Sequence, residues 1–331
     1  VRFFMDIIQK LTEELQVKKW QVEAAVKLID EGNTIPFISR YRKEATGALN
    51  DEQLRDLGER LTYLRNLEDK KAQVISSIEE QGKLTEELKA AIEAAQTQVA
   101  VDDLYRPYRP KRRTRATMAK EKGLEGLANI ILLQMTTTPL EIEAESYLSE
   151  EKGVKNVQEA IAGAMDIIAE SISDEADYRT WIRNKTLKEG EIISEAKDEK
   201  EQSVYETYYH FIQPINKMAG HRTLALNRGE AEKVLTVKIV APEPEILSYL
   251  ESRVITKDNS ITSPVLEEVV KDSYSRLIAP AIEREIRNLL TEQAEEGAIR
   301  VFGKNLEQLL MQPPIAGQTV LCLLYTSDAA D

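Results

Sequence analysis

Positively charged residues concentrate between positions 105 and 122, where eight Lys or Arg side chains accompany one acid, Glu121. The whole chain carries a formal net charge of −13, so this basic segment (residues 105–122) stands out. Guanidinium groups suit phosphate oxygens, and Tyr105 and Tyr108 are suited to stacking on bases. The pattern therefore predicts a nucleic-acid contact. The alternative is an extended crossing between helices, held by ion pairs to the acidic surface around it.

Two further stretches combine basic residues with aromatic or turn-forming residues. The first runs from Phe37 to Lys43 and includes Tyr41; it is either a phosphate contact or a helix whose aromatic side chains pack in the core, and the pattern favours the core. The second runs from His221 to Glu230 and is polar with a glycine, which is typical of a turn. The predicted nucleic-acid contacts in all three stretches are Arg40, Arg42, Lys43, Arg106, Arg109, Lys111, Arg112, Arg113, Arg115, Arg222 and Arg228.

No sequence motif predicts catalysis or cofactor binding. Neither a phosphate-binding glycine loop nor a dinucleotide fingerprint is present, and the two histidines lack the pattern of a zinc site. Asp102 and Asp103 are adjacent acids, which point about 100° apart on a helix and do not converge by themselves. Solvation or pairing with nearby arginines is the predicted role of these two acids. We therefore expect no enzyme activity, no cofactor and no metal, and a hydrolase that uses clustered acids is the weakest alternative.

Composition predicts an ordered, helix-rich protein. Hydrophobic residues make up 42% of the 331 positions and charged residues 31%. An acidic chain does not favour nucleic-acid binding over its whole surface, so any such binding must be local. Cys322 is the one cysteine, which suits a reducing compartment, and no run of apolar residues is long enough for a membrane span. We expect a cytoplasmic monomer that does not bind membranes.

Helical periodicity predicts the elements that would position these residues. Two short apolar stripes, one ending near Leu15 and one from Val22 to Ile29, have helix-turn-helix-like spacing, with Trp20 expected in the core. Asn50 or Asp51 is suited to cap a long helix that ends before Gly82, and further stripes follow after the basic segment. Only residues 235–240 alternate as a strand does. The fold class predicted is all-α, a multi-helix scaffold with one possible short strand.

Three ordered stretches carry a resemblance to a known family. Residues 30–44 (DEGNTIPFISRYRKE), 103–115 (DLYRPYRPKRRTR) and 221–230 (HRTLALNRGE) resemble signatures of the bacterial Tex family of transcription accessory proteins. The resemblance runs in order from Met5 to about Leu321. Three long matches are far more specific than any short motif in the chain.

The resemblance implies more than the pattern shows. Tex proteins are roughly twice as long, and an RNase-H-like domain, helix-hairpin-helix elements and a C-terminal OB-fold RNA-binding domain follow their helical N-terminal region. The OB-fold is their principal nucleic-acid contact, so the resemblance implies weak binding by this chain.

The expected organisation is a non-native leader at 1–4, a helix-turn-helix-like part at 5–70, a helical scaffold at 71–220 with the basic segment, a second helical part at 221–316, the start of an RNase-H-like domain at 317–321 and an adapter-derived tail at 322–331.

The function implied is that of the N-terminal scaffold of a Tex-like protein that binds RNA or DNA weakly through its basic segments. RNA polymerase or ribosome-associated machinery are the protein partners that this function suggests. The alternative is a helical scaffold that docks on the transcription machinery without touching nucleic acid. Burial of the arginines of the basic segment against acids would favour the alternative, whereas an exposed face that includes Arg40 and Arg42 would favour nucleic acid.

Overall fold

The computed structural model describes residues 6–110, 113–200, 202–313 and 316–317. These residues are mainly helical and form two compact units. The first unit comprises Val1–Lys185 and Glu243–Ile282, and the second comprises Thr186–Pro242 and Glu283–Asp331. The predicted mainly helical fold is confirmed. The boundaries predicted for the domains stay predictions, and the leader, residues 318–321 and the tail lie outside the described residues.

The first unit begins with helices that pack on one long helix. Their bounds are α1 Ile7–Leu15, α2 Lys19–Asp30, α3 Ile35–Tyr41, α4 Asp51–Glu80, α5 Glu86–Ala94 and α6 Gln98–Tyr105. The Asn50 side chain accepts a hydrogen bond from the backbone N–H of Gln53, as the predicted cap requires. Buried leucines at helical spacing, from Leu54 to Leu67, form the face of α4 that the other helices cover. Helix α4 is therefore the element on which this part of the unit is assembled.

Most of the remaining helices of the first unit pack on one central helix, α10 (Val157–Asp174). Their bounds are α7 Arg115–Glu121, α8 Glu125–Leu133, α9 Leu140–Glu145, α10 Val157–Asp174, α11 Ala176–Glu189, α13 Glu243–Val254 and α14 Ser263–Asp272. A π-helical turn, Ser273–Ile278, follows α14, and the Ser273 hydroxyl donates to the backbone carbonyl of Ala169 on α10 at 2.7 Å. Gly163 lies within α10, and a Cβ there would be only 2.3 Å from the Leu124 side chain. The glycine therefore allows Leu124 to pack directly against the α10 backbone.

The second unit contains a three-stranded antiparallel sheet. Its strands are β1 Glu191–Ala196, β2 His210–Pro214 and β3 Leu235–Val240, in the order β2-β1-β3. Helix α12 (Gly220–Ala231) contributes Leu226 to the core of this unit, together with Leu235 of β3. Helix α15 (Ala279–Leu310) contributes Arg287, which donates to the backbone carbonyl of Val237 at 3.0 Å.

The structure corrects several expectations about local structure. The strand at 235–240 is confirmed, but strands β1 and β2 were not predicted. Residues 221–230 form helix α12 and not a turn. Trp20 is 49% exposed and Tyr41 is 69% exposed, so the prediction that they pack in the core is wrong, and Phe37 at 38% is exposed as well. Helix α3 buries Ile38 instead, because a helix of seven residues presents only one narrow face to α4.

Candidate nucleic-acid interface

Helix α3 and the two residues that follow it carry three of the predicted contacts, Arg40 in the helix and Arg42 and Lys43 just after it, all exposed. The α3 patch comprises Phe37, Arg40, Tyr41, Arg42 and Lys43, all of them exposed. Pro36 lies in the first turn, where its fixed φ suits a helix start, and the backbone N–H of Arg42 donates to the carbonyl of Ile38 at the last turn. Burial of Ile38 fixes which side of the short helix faces water. The patch is therefore held by the fold and is not a tail.

The cations of the α3 patch have no acid partner in the part of the chain that the structure describes. No ion pair is found there for Arg40, Arg42 or Lys43, and the Arg42 guanidinium carbon lies 5.6 Å from the centroid of the Phe37 ring. A cation over an aromatic face is weakly held at an exposed site. The three cations are thus available to bind an anion from solution.

Two arginines of α4 show the contrasting arrangement. Arg60 donates to Glu14 at 2.5 Å and 2.9 Å, and Arg65 donates to Asp30 at 2.7 Å and 2.9 Å. The hydrogen bond from Arg60 holds the pKa of the Glu14 carboxyl below its usual value, against the opposing effect of burial. The hydrogen bond from Arg65 likewise lowers the pKa of Asp30. These arginines neutralise acids of the protein and are poorly placed to bind an external phosphate.

The basic segment is fixed to the far end of α4. The Tyr105 and Ser77 hydroxyls are 2.9 Å apart, and the Gln81 side-chain amide donates to the backbone carbonyl of Tyr108 at 2.9 Å. Tyr105 and Tyr108 are half-buried against the core formed by the second half of α4. Residues 105–109 make a tight turn with two hydrogen bonds to the Tyr105 carbonyl, and not an extended crossing. Both tyrosines therefore anchor the segment.

The arginines of the basic segment divide into paired and unpaired groups. Arg106 pairs with Asp174 at 3.2 Å, and Arg113 pairs with Glu121 at 3.0 Å, the latter on the surface. Arg109 and Arg115 are exposed, and neither has an ion pair within the described ranges. Lys111 and Arg112 lie outside the described residues. Exposure of Arg109 and Arg113 does not match the burial that the scaffold alternative requires of this segment.

The acids that precede the basic segment serve the fold. Asp103, 4% exposed, accepts from Arg179 at 2.9 Å and from Arg183 at 2.8 Å. We call these three residues the Asp103 cluster. Asp102 pairs with Lys70 at 2.7 Å and is largely exposed. Asp103 does pair with arginines, but its partners lie more than seventy positions along the chain and are not the nearby arginines of the basic segment. No pattern in the sequence identifies these partners.

A cavity of about 600 Å³ lies beside the basic segment, between the end of α4, α7 and α10. Its charged lining includes Lys83, Arg109 and Lys120 as well as Glu80, Glu170 and Asp174. Among the described residues, no group of three or more His, Cys, Asp or Glu side chains is placed to hold a metal ion. The cavity has a mixed charge and does not present carboxylates alone.

The structure does not bring all predicted contacts to one place. A Cβ at position 58 would lie 2.9 Å from the Ile35 side chain, so Gly58 marks where α3 packs on α4. Gln81, at the C-terminal end of α4, marks where the basic segment is attached, through its hydrogen bond to the Tyr108 carbonyl. At 1.5 Å per residue the two points are about 35 Å apart along α4. Arg222 and Arg228 lie on α12 in the second unit, where Arg222 donates to Gln213 at 2.7 Å.

Comparison with known proteins identifies related sequences. The chain matches the Tex-like protein N-terminal domain over residues 5–79 and the Tex central region over residues 135–302. Bacillus subtilis YdcI is 48% identical over 95% of this chain and 44% of that protein. The transcriptional accessory protein Tex of Neisseria gonorrhoeae is 39% identical over 96% of the chain and 43% of that protein. The human S1 RNA-binding domain-containing protein 1 is 32% identical over 96% of the chain and 33% of that protein. The chain spans less than half the length of these relatives.

Two further findings accompany these similarities. None of the described helices combines the length and the apolar character that crossing a membrane requires. The two matched regions leave residues 80–134 between them, and these residues include the basic segment. The α3 patch, in contrast, lies within the matched N-terminal domain.

Proposed function

The chain belongs to the Tex family, and from this premise we propose that it is the helical region of a transcription accessory protein that binds nucleic acid weakly and without sequence preference. The observation that carries the proposal is the α3 patch, whose exposed cations have no acid partner among the described residues. The name of the Neisseria gonorrhoeae relative supports a role in transcription, and that of the human relative supports RNA as the ligand.

Electrostatics determines how tight this binding is. Each phosphate that a cation neutralises releases a counterion, so affinity falls as salt rises. The net charge of −13 repels a polyanion from the rest of the surface. We therefore expect a dissociation constant at or above the usual non-specific range of roughly 1–100 μM. Arg109 and Arg115, the exposed arginines of the basic segment that have no ion pair among the described residues, would form a second contact about 35 Å away along α4.

A salt series with charge-removing variants tests the proposal. Replacement of Arg40, Arg42 and Lys43 by Gln is expected to weaken binding to a labelled single-stranded RNA, measured by fluorescence anisotropy. The slope of log affinity against log salt should become shallower by about 2, because three phosphate contacts are lost at about 0.7 each. Far-UV circular dichroism should show unchanged helicity, since the three side chains are exposed.

A matched control separates phosphate contacts from loss of charge in general. The double variant Arg55→Gln, Arg65→Gln also removes exposed cations, but these are paired with Asp51 and Asp30. It should leave the salt slope within about half a unit of the original, since neither side chain contributes a phosphate contact. A loss in the control of about two thirds of that in the patch variant, in proportion to two cations removed instead of three, would show that net charge, and not the α3 patch, governs binding.

A helical protein-interaction scaffold is a second candidate, and one observation favours it. The last part of α15 exposes a series of large apolar side chains: Ile299, Val301, Phe302, Leu306, Leu309 and Leu310. Exposed apolar surface of this kind marks interaction sites in many proteins. If no nucleic-acid binding is measurable at low salt, docking of this helix on the transcription machinery becomes the better supported function.

A further inference from the structure

Exposed aromatic rings accompany the cations of the α3 patch, and these rings are not part of the hydrophobic core. Among the described residues, four aromatic side chains are exposed, and three of these are Trp20, Phe37 and Tyr41. The hydrophobic core of this part of the unit contains Ile35 and Ile38 but none of the three rings. Trp20 lies against Gly47, six residues beyond Tyr41, so the three rings come from one short region of the fold. Exposed aromatic surface in one region costs free energy unless a ligand covers it. The position of these rings therefore points to a binding role.

The rings are held in place before any ligand arrives. A Cβ at position 47 would lie 2.3 Å from Cη2 of Trp20, so the indole lies directly against the backbone of Gly47. Gly47 has φ of +63°, so both the backbone conformation and the close approach require glycine there. The Phe37 and Tyr41 ring centroids are 5.2 Å apart, with the planes tilted by 45°. Rings fixed in this way lose little freedom when a partner stacks on them.

The charge around the rings is positive. Residues 18–20 and 37–47 contain five cations, two of them Lys18 and Lys19, and one acid, Glu44. All five cations are exposed, and none has an ion pair within the described part of the chain. Alternation of aromatic rings with unpaired cations is the arrangement by which proteins bind single strands, because bases stack on the rings while phosphates meet the cations. Paired bases in a duplex do not offer their faces to such rings.

We propose that Trp20, Phe37 and Tyr41 form a stacking platform for unpaired bases, so that the ligand of the α3 patch is single-stranded nucleic acid. The inference rests on the proposed function, since it names the ligand class of the same patch. It goes beyond that function, because binding through cations alone would accept single strands and duplexes alike.

Trp20 itself provides the first test. The chain has two tryptophans, and Trp181 is stacked on Tyr249 at a centroid distance of 3.8 Å. The variant Trp181→Phe keeps a ring at that stack and leaves Trp20 as the sole tryptophan. A single-stranded oligouridylate of about ten nucleotides, within the usual site size, should quench the fluorescence of Trp20 at low salt. An RNA duplex with the same number of phosphates should quench it far less and bind more weakly.

Substitution of a ring provides the second test. The variant Tyr41→Ala removes a side chain that is 69% exposed, so folding should be intact. Affinity for the oligouridylate is expected to fall about fivefold or more, with the salt slope unchanged because no phosphate contact is lost. The matched control is Phe302→Ala, which removes a ring that is 68% exposed elsewhere in the chain and should leave affinity unaltered. The same measurements with an oligodeoxythymidylate distinguish RNA from DNA.

The outcomes separate the two proposals. Equal affinity for single strand and duplex, with unchanged Trp20 fluorescence, would overturn the stacking platform while the charge variants still support nucleic-acid binding. Loss of affinity in the charge variant but not in Tyr41→Ala would lead to the same conclusion and would leave the rings as a surface for a protein. Absence of binding to every probe at low salt would overturn both proposals.

Discussion

The α3 patch and the Asp103 cluster use arginine in opposite ways within one unit. Arg179 is fully buried and Arg183 is 14% exposed at its side chain, and both donate to the same carboxylate. Arg40 and Arg42 are exposed and meet no acid in the described residues. The difference shows that the residue type does not determine the role of a cation. The role of a cation is determined by whether the fold buries its side chain and places a carboxylate within ion-pair distance.

Energetics makes the two regions respond differently to the same kind of substitution. A buried charge that loses its partner keeps the cost of desolvation without compensation, whereas an exposed pair contributes 0–1 kcal/mol. Substitutions in the Asp103 cluster should therefore lower stability, and substitutions in the α3 patch should weaken a ligand. Each of the following variants tests one side of this comparison.

The largest effect is expected from Asp103→Ala. This variant leaves the Arg179 and Arg183 guanidinium groups without the carboxylate that accepts from both. The free energy of unfolding of the first unit should fall by about 3–5 kcal/mol, because one partner of a buried ion pair is removed. Urea denaturation followed by far-UV circular dichroism measures the change.

The adjacent acid is the control for this experiment. Asp102 has the same charge and the same helix, but its pair with Lys70 is on the surface. The variant Asp102→Ala should lower the free energy of unfolding by less than about 1 kcal/mol. If the two variants lower the free energy of unfolding by the same amount, burial does not make the Asp103 cluster more important to stability than a surface ion pair.

Much of the helical fold could be predicted from local signals. Asn50 caps α4 and Thr85 caps α5 through side-chain hydrogen bonds to backbone N–H groups, as residues of these types do. Strand β1 gave no such signal, because its inward position 194 is a serine that breaks the apolar alternation. Gly229 indicated a turn, but it lies inside α12, where a Cβ would come within 2.6 Å of Leu235. There glycine serves close packing, which only the folded structure reveals.

The candidate site was predictable in part. Exposure of Arg40, Arg42 and Arg109 agrees with their basic, non-periodic context. The partner of Arg106 could not be predicted, because Asp174 lies sixty-eight positions further along the chain. The exposure of Trp20, Phe37 and Tyr41 was also missed, because apolar residues at helical spacing ordinarily mark a core face. On the short helix α3 that interpretation fails for Phe37 and Tyr41, since Ile35 and Ile38 are enough to attach the helix. Trp20 is the second residue of α2, where Val22, Ala25 and Val26 supply the buried face.

An intermediate effect is expected where the basic segment combines both roles. Arg106 pairs with the largely buried Asp174, whereas Arg109 is exposed. The variant Arg106→Gln should lower the free energy of unfolding by about 1 kcal/mol and leave the salt slope of RNA binding unchanged. The variant Arg109→Gln should leave the free energy of unfolding within about 0.5 kcal/mol of the original value and make the salt slope of RNA binding shallower by about 0.7. Urea denaturation and the anisotropy titration measure the two quantities. Identical behaviour of the two variants would mean that pairing does not separate bracing arginines from binding ones.

The smallest effect concerns an exposed acid that is paired. Glu14 accepts from Arg60, and this hydrogen bond holds the pKa of Glu14 below its usual value. A lowered pKa in the folded state means that the pair stabilises the protein above the unfolded-state pKa of about 4.3, and that the contribution is lost as pH falls through the folded-state pKa. The variant Glu14→Gln keeps Arg60 and removes only the carboxylate charge. Its free energy of unfolding should lie below that of the original chain by less than about 1 kcal/mol at pH 7.

That small deficit should shrink as pH falls below about 4, because protonation removes the same charge from the original chain. The neighbouring variant Glu13→Gln is the control: the structure shows a hydrogen bond to Glu13 from Gln9 and no ion pair in the described residues, so its curve should follow that of the original chain at every pH. A deficit of Glu14→Gln that persists unchanged at low pH would trace it to packing and not to charge. A deficit as large as that of Asp103→Ala would show that exposed pairs stabilise this unit as strongly as buried ones, and burial would then not explain the difference between the Asp103 cluster and the surface.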